Sequence, residues 1–412
     1  MPLDPGRTVA ELRELQELTG DDNGAQRVAW TDTWERAREW LRARVTETGA
    51  EETIDAAGNQ WFTLHGASDR AVLLGGHIDS VPNGGWLDGC LNVMAGVEVL
   101  RRIAADGSPP VTVRLVNWAD EEGARFGRSL FGSSAAAGSM RDQDELRSRK
   151  DADGIALPDA LSAHGVQLDS ALEARSELEG GAAYLELHIE QGPVLESMDL
   201  PLGVVLGTFG VERHQVTFRG QAAHAGSTPM DKRRDALAGV ARLELEIREI
   251  AKRTGQGAVC TIGSVVTKPG IVTSVVETAE CLLDQRHLDR ATLASMLQEA
   301  KDASQRFAQA EDVEVEWERI WNIEPILFDD GLIELADESI KEVAGSSHRL
   351  PSGPLHDAAE VARAGVPTVM LFVQSLQGLS HTKLEDTKPD HLELSVQALD
   401  KLVSKTIERV TG

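Results

Sequence analysis

Cysteine is nearly missing from this chain: three in 412 residues, Cys90, Cys260 and Cys281, far apart and with no CxxC pair. That excludes a disulfide framework and leaves reduced, mostly buried thiols as the reading. Basic residues are in deficit as well, 41 Lys and Arg against 67 Asp and Glu, for a formal net charge of −26. A nucleic-acid partner demands clustered Lys and Arg, so that class is excluded; the excess of acid mainly favours solubility. Long apolar runs are also absent, none approaching the roughly 20 residues that cross a bilayer. The first twenty residues are polar and acidic with helically spaced leucines, and they lack the basic-then-apolar order of a signal peptide. The expectation is a cytoplasmic protein with no membrane partner. There are no repeats and no low-complexity linker.

What is present is more than one core usually holds, so 412 residues predict two domains. The chain is organised around Gly75-Gly76-His77-Ile78-Asp79-Ser80-Val81-Pro82-Asn83-Gly84-Gly85-Trp86-Leu87-Asp88-Gly89. The apolar run Ala71–Leu74 enters it as a buried strand, and a helix over Gly89–Ala105 follows. Thr31–Thr48 reads as a helix and Thr53–Leu64 as two short strands about a Gly-Asn turn. Val111–Trp118 is a further strand ending in Asp120-Glu121-Glu122, and Tyr184–Pro193 another, carrying His188. Strand, helix and strand in succession imply a right-handed crossover in a mostly parallel sheet, whose ligands collect at the carboxyl ends of strands. From about Gly210 the pattern becomes strand-helix-strand-strand-helix-strand, a compact α+β unit. After it come a helix at Leu332–Val343, a strand at Pro367–Val373 and a last helix at Glu393–Val410. The fold class is therefore α/β in two domains: a catalytic domain of residues 1–209 and 321–412, with an inserted α+β domain over 210–320.

Taken alone, His77 reads as well as a hydrogen-bonded histidine at a strand end, and the Glu121-Glu122 pair as a solvated acidic loop. Together with Asp79, Asp88, His188 and His381, all at strand ends or in adjoining loops, they form a set that is costly to assemble without a cation. Two metal ions about 3.5 Å apart need a bridging carboxylate and terminal ligands for each. Asp88 reads as the bridge, His77 and His188 as ligands of one ion, Glu122 and His381 as ligands of the other. Asp79 would hold the His77 tautomer. Glu121, beside a ligand but not one itself, reads as the general base. A donor set of His, Asp and Glu without Cys suits Zn, Mn, Co or Ni about equally.

Gly76-His77-Ile78-Asp79-Ser80 through Asp88-Gly89, then Asp120–Phe126, His188-Ile189-Glu190-Gln191-Gly192-Pro193 and Ser380-His381 with Glu385, resemble the M20-type metallopeptidase superfamily. His188 in place of a carboxylate resembles its amidase branch, the N-carbamoyl-L-amino-acid hydrolases, β-ureidopropionases and allantoate amidohydrolases. The resemblance implies two divalent ions per subunit, a small-molecule ureide or amide substrate, and an inserted domain acting as lid and homodimer interface. It also implies a lid histidine reaching the partner's active site, for which His224 in Ala222–Met230 is the candidate. Gln191 matches a substrate-contacting glutamine and Arg286 an arginine gripping the substrate carboxylate.

The departures fall on the substrate shell. Thr273-Ser274-Val275-Val276 stands where relatives have Asn-Val-Ile-Pro, and Pro354-Leu355 stands inside a Ser-Gly-Ala-Gly-His-Asp pattern. The usual proline after His381 is absent. Thr273 and Leu355 are thus expected to shape the substrate pocket. The rival readings are an aminoacylase or dipeptidase of the same superfamily, and a metal-dependent binding protein without activity.

Overall fold

The computed structural model describes residues 2–255 and 257–412. In chain order the strands that matter are β1 (Glu51–Ile54), β2 (Gln60–Leu64), β3 (Ala71–His77), β4 (Thr112–Trp118), β5 (Gly181–Ile189) and β6 (Leu202–Thr208). They are followed by β7 (Gly210–Arg219), β8 (Val259–Lys268), β9 (Thr278–His287) and β10 (Glu314–Ile323), then by β11 (Ile326–Leu327), β12 (His348–Ser352) and β13 (Thr368–Val373). The chain divides into two compact units, one formed by residues up to Leu206 with Phe328–Gly412, the other by Gly207–Leu327.

The first unit is built on a sheet of order β6-β13-β5-β3-β4-β2-β1, with β12 pairing β6. The four central strands, β13, β5, β3 and β4, run parallel to one another. The flanks turn antiparallel: β2 on β4, β1 on β2, and β6 on β13. The expected mostly parallel sheet is therefore corrected to a mixed one. The β1–β2 hairpin adds to one side, and β6 adds a strand that the sequence reading did not place.

All seven residues of β3 and all six of β13 are buried. This is why their sequences are continuous apolar runs and not alternating ones: central parallel strands are covered on both faces. A Cβ on Gly75 would stand 2.1 Å from the Tyr184 hydroxyl, so glycine there lets the side chain of the neighbouring β5 cross over the end of β3. The helix Cys90–Asp106, starting just behind the loop after β3, packs its Leu91, Val93, Met94, Val97 and Leu100 into the main core. Because the four central strands are parallel, their carboxyl ends emerge on one edge. His77 is in register with Trp118, and His188 with Phe372.

The second unit has a four-stranded antiparallel sheet of order β8-β9-β7-β10. Along β9, Ala279, Cys281, Leu283, Gln285 and His287 are buried while their neighbours are less so, the period-two pattern of a sheet with one covered face. Val216 and Phe218 of β7 join Cys281 and Leu283 in a core with Leu243 and Ile247 of the helix Ala236–Thr254 and Met296 of the helix Arg290–Ala310. Among the described residues no helix is long and apolar enough to cross a membrane.

Candidate metal centre

At the carboxyl edge of the central strands, two groups of ligand-type atoms gather: His77, Asp88 and His188 in one, Asp88, Glu122 and His381 in the other. Asp88 belongs to both. Its Oδ1 lies 3.1 Å from His188 Nε2 and 4.0 Å from His77 Nε2, while its Oδ2 lies 3.3 Å from His381 Nε2. His381 Nε2 is in turn 3.5 Å from Glu122 Oε2. Two donors on one tetrahedral ion, each bonded at about 2.1 Å, stand roughly 3.4 Å apart. The separations of 3.1, 3.3 and 3.5 Å lie near that spacing and the 4.0 Å to His77 is wider, so the residues present fit divalent cations with a small adjustment at His77.

His77 and His188 are each held by their other nitrogen. His188 Nδ1 meets its neighbour's carbonyl, Ile189 O, at 2.8 Å, and His77 Nδ1 meets Asp79 O at 3.1 Å. A carbonyl at Nδ1 fixes each ring so that Nε2 faces the acids. The expected partner of His77 was the Asp79 carboxylate, which at 3.6 Å is farther away than the Asp79 carbonyl. That carboxylate accepts instead from the backbone N–H groups of Glu121 and Glu122, at 3.3 and 3.2 Å. It therefore ties the β3 loop to the β4 loop.

The Asp88 loop has its own support. Glu385 Oε1 accepts from the N–H groups of Leu87 and Asp88, both at 3.0 Å, and the single Ser380 O–H lies between two acceptors, Asp88 Oδ2 at 3.0 Å and Glu385 Oε2 at 3.1 Å. Gln191, at φ 55, donates from Nε2 to Asp88 Oδ2 at 3.0 Å and to Ser380 Oγ at 2.9 Å. Its Oε1 is buried without a partner. Gly89, at φ 65, leaves room for His77: a Cβ there would fall 2.3 Å from the imidazole ring.

The electrostatics are those of crowded buried acids. Burial, then the charges of Asp357 and Glu122, push the Glu121 carboxyl well above the usual range. Burial, then Asp88 and Asp79, do the same to Glu122. Burial raises Asp79 to about 7 and lowers His77 to about 4. Burial also opposes charge on Asp88 and His188, but their mutual hydrogen bond and attraction outweigh it, holding Asp88 well below the usual range and lifting His188 to about 9. Divalent charge is what such a set of carboxylates lacks.

The structure thus brings His77, Asp79, Asp88, Glu121, Glu122, His188, Gln191 and His381 together, with Glu121 Oε2 3.7 Å from His77 Nε2. Leu355, half-buried, belongs to the same unit. His224, Thr273 and Arg286 belong to the second unit. There a two-stranded ladder pairs His224 with Ser274, and the next N–H, that of Ala225, bonds the Thr273 carbonyl at 2.8 Å. Both residues are exposed. The Arg286 guanidinium is engaged twice by Asp284, at 2.7 and 3.2 Å.

Several supporting residues carried no recognisable signal of their own. Tyr184 Oη accepts from Trp118 Nε1 at 2.9 Å and donates to Glu186 Oε2 at 2.7 Å, and the same Glu186 oxygen accepts from the Ala358 N–H. His356, bonded to Ser352 Oγ at 2.8 Å, places its ring 4.4 Å from that of His188, the two tilted by 57°. Glu186 is two residues from His188 on one face of β5, a spacing that could have drawn attention to it. His356 is the histidine of the segment already compared with a Ser-Gly-Ala-Gly-His-Asp pattern, in which Pro354 and Leu355 are the departures.

Residues 73–405 match the sequence profile of peptidase family M20/M25/M40. The chain is 36% identical over 386 residues to an N-carbamoyl-L-amino acid amidohydrolase of Geobacillus stearothermophilus, covering 92% of this chain and 93% of that one. It is 33% identical over 380 residues to an allantoate amidohydrolase of Escherichia coli K12, covering 91% of each. Among solved structures it resembles an amidase of the hydantoinase/carbamoylase family from Burkholderia multivorans, with a TM-score of 0.87, 31% identity and 98% of each chain covered.

Proposed function

The chain belongs to peptidase family M20/M25/M40, and we propose that this metal-dependent amidohydrolase holds two divalent ions and cleaves the carbamoyl or amide C–N bond of an N-carbamoyl-L-amino acid or a related ureide. The observation that carries the reading is Asp88, whose two carboxylate oxygens face two separate histidine-containing sets. Ions held by His77, His188 and Asp88 on one side, and by Asp88, Glu122 and His381 on the other, would polarise the scissile carbonyl and acidify the attacking water.

The chain's own groups do the rest. Glu121 takes the proton of the attacking water and returns it to the leaving nitrogen, a role supported by its place beside His77 and its raised proton affinity. Asp79 acts by position, holding the two loops at a fixed distance. Gln191 offers its unpartnered Oε1 to a substrate N–H while its Nε2 stays on Asp88. From the second unit, His224 would donate to the developing oxyanion, a contribution of roughly 3 kcal/mol for one such donor. Arg286 would take the substrate carboxylate by its fork, in competition with Asp284. Thr273 and Leu355 would set the shape of the side-chain pocket. With a carbamoyl amino acid the products are ammonia, carbon dioxide and the free amino acid.

The test is ammonia release by protein loaded with Zn or Mn, across N-carbamoyl-L-amino acids, N-carbamoyl-β-alanine and allantoate, with Glu121→Gln as control. We expect ammonia from at least one of them and a loss of 10²-fold or more in the control. Turnover of acylated amino acids or dipeptides with silence on every ureide would overturn the substrate assignment. The reading includes a cytoplasmic homodimer through the second unit, with His224 serving the partner's site. Mixing inactive Glu121→Gln and His224→Ala subunits should then restore activity, because one site of each hybrid dimer is complete.

A further inference from the structure

Arg27 is fully buried, yet the acceptors its guanidinium bonds among the described residues are all neutral. Nε donates to Ile78 O at 2.8 Å, Nη2 to Cys90 Sγ at 3.0 Å, and Nη1 to Thr19 Oγ1 and Gln16 Oε1 at 3.3 and 3.4 Å. A buried charge ordinarily sits against an opposite one, and leaving it without a salt bridge is costly. The acceptors show what it does instead. Ile78 is one residue beyond His77, and Cys90 is two beyond Asp88. One planar fork therefore clasps the chain just after each of two candidate ligands, which lie on opposite ends of the glycine-rich loop.

The backbone around Arg27 grips the same loop. Arg27 N–H donates to Ser80 Oγ at 3.1 Å, Ser80 N–H returns a bond to Arg27 O at 3.0 Å, and Ala25 N–H bonds Gly84 O at 2.9 Å. Gln26 Nε2 adds a bond to Asn83 Oδ1 at 2.8 Å. Residues 25–27 form a strap across the loop, and Arg27 is its pin.

We propose that Arg27 is a positioning residue for metal binding, setting the spacing of His77 and Asp88 through Ile78 and Cys90. The inference rests on the metal reading above. A merely electrostatic role and a merely structural one make different predictions. A fixed positive charge repels a neighbouring cation, so a charge-only Arg27 predicts tighter metal binding when the charge is removed. A purely structural Arg27 predicts lower thermal stability with unchanged metal affinity in the protein that remains folded.

The experiment is competitive titration of the full chain with Zn2+ and, separately, Mn2+ against a chromophoric chelator, with thermal melts in parallel. Arg27→Met removes charge and fork, Arg27→Lys removes only the fork, and Cys90→Ala removes one acceptor and leaves the arginine in place. We expect metal affinity to fall about tenfold or more in both Arg27 variants, and severalfold in Cys90→Ala. If Arg27→Met does not fold, the other two carry the test. Tighter binding by Arg27→Met, or unchanged affinity in folded Arg27→Lys and Cys90→Ala, overturns the assignment. A wild-type chain that binds neither ion would instead overturn the metal reading itself.

Discussion

Gly89 offers a sharp perturbation, because two costs of adding one methyl group there can be separated. The residue adopts φ 65, and a Cβ would stand 2.3 Å from His77 Cε1 and 2.4 Å from both ring nitrogens. The closest ordinary contact is 3.4 Å, so the imidazole must retreat by about 1 Å, the difference between 3.4 and 2.3 Å. Metal–ligand distances tolerate roughly 0.2 Å. Gly89→Ala should therefore displace His77 as a donor, with a misplacement of the kind that costs on the order of 10²-fold in rate. The backbone at φ 65, ψ −45, outside the left-handed helical well, adds strain of at least about 1–2 kcal/mol, a few degrees in melting temperature for a chain of this size. Gly49 supplies the control, at φ 74 with nothing within 4 Å of its would-be Cβ. Gly49→Ala should show the melting-temperature loss alone. The assays are metal content after dialysis, ammonia release, and melts in chelator. A Gly89→Ala protein with full metal content and near wild-type rate would refute the reasoning, as would an equal loss of activity in Gly49→Ala.

Three further outcomes are expected. Chelation should abolish ammonia release and lower the melting temperature, with Zn or Mn restoring both; activity that survives exhaustive chelation would count against the centre. His381→Ala removes a donor from the half-exposed second set only, so metal analysis should show one ion lost and the His77–His188 side still occupied. Glu186, raised by burial from 4.5 to about 7, keeps a proton in the folded chain that the unfolded chain releases above about 4.5. Stability of the metal-free protein should thus fall as pH rises through that window, and Glu186→Gln should flatten the slope of melting temperature against pH; an unchanged slope would mean another group is responsible.

The central strands were readable because burial on both faces makes them continuous apolar runs, and the chemistry stands where those runs stop. His77, Glu121, Glu122 and His188 each follow from that rule. The flanking strand Leu202–Thr208 escaped because glycines interrupt its short apolar pattern. In β10, Arg319, Ile320 and Trp321 are exposed and break the alternation at a register shift, so the end of that strand has no readable period. His381 lies on a left-handed residue in a loop, at φ 56, where periodicity carries no information; only its motif brought it forward.

What the sequence could not convey is the layer of residues that hold the donors still. Glu385 could be matched to a motif, but its two bonds to the N–H groups of Leu87 and Asp88 cross nearly three hundred residues of chain. Arg27 belongs to none of the quoted motifs, and the groups its guanidinium bonds, Ile78 O, Cys90, Thr19 and Gln16, are not charged ones that a pattern would pair with it. Such residues act through backbone atoms, and backbone acceptors have no residue type to recognise. The same logic ranks the variants. Donors removed from the centre should change how many ions bind, while Arg27, Gly89 and Glu385 should change how tightly they bind by moving donors that are still present. A Glu385→Gln protein keeps an acceptor oxygen for the two N–H groups but loses the charge that strengthens those bonds. It should therefore bind the same number of ions with reduced affinity. Loss of a whole ion, measured by metal analysis at saturating Zn, would show instead that Glu385 belongs among the donors.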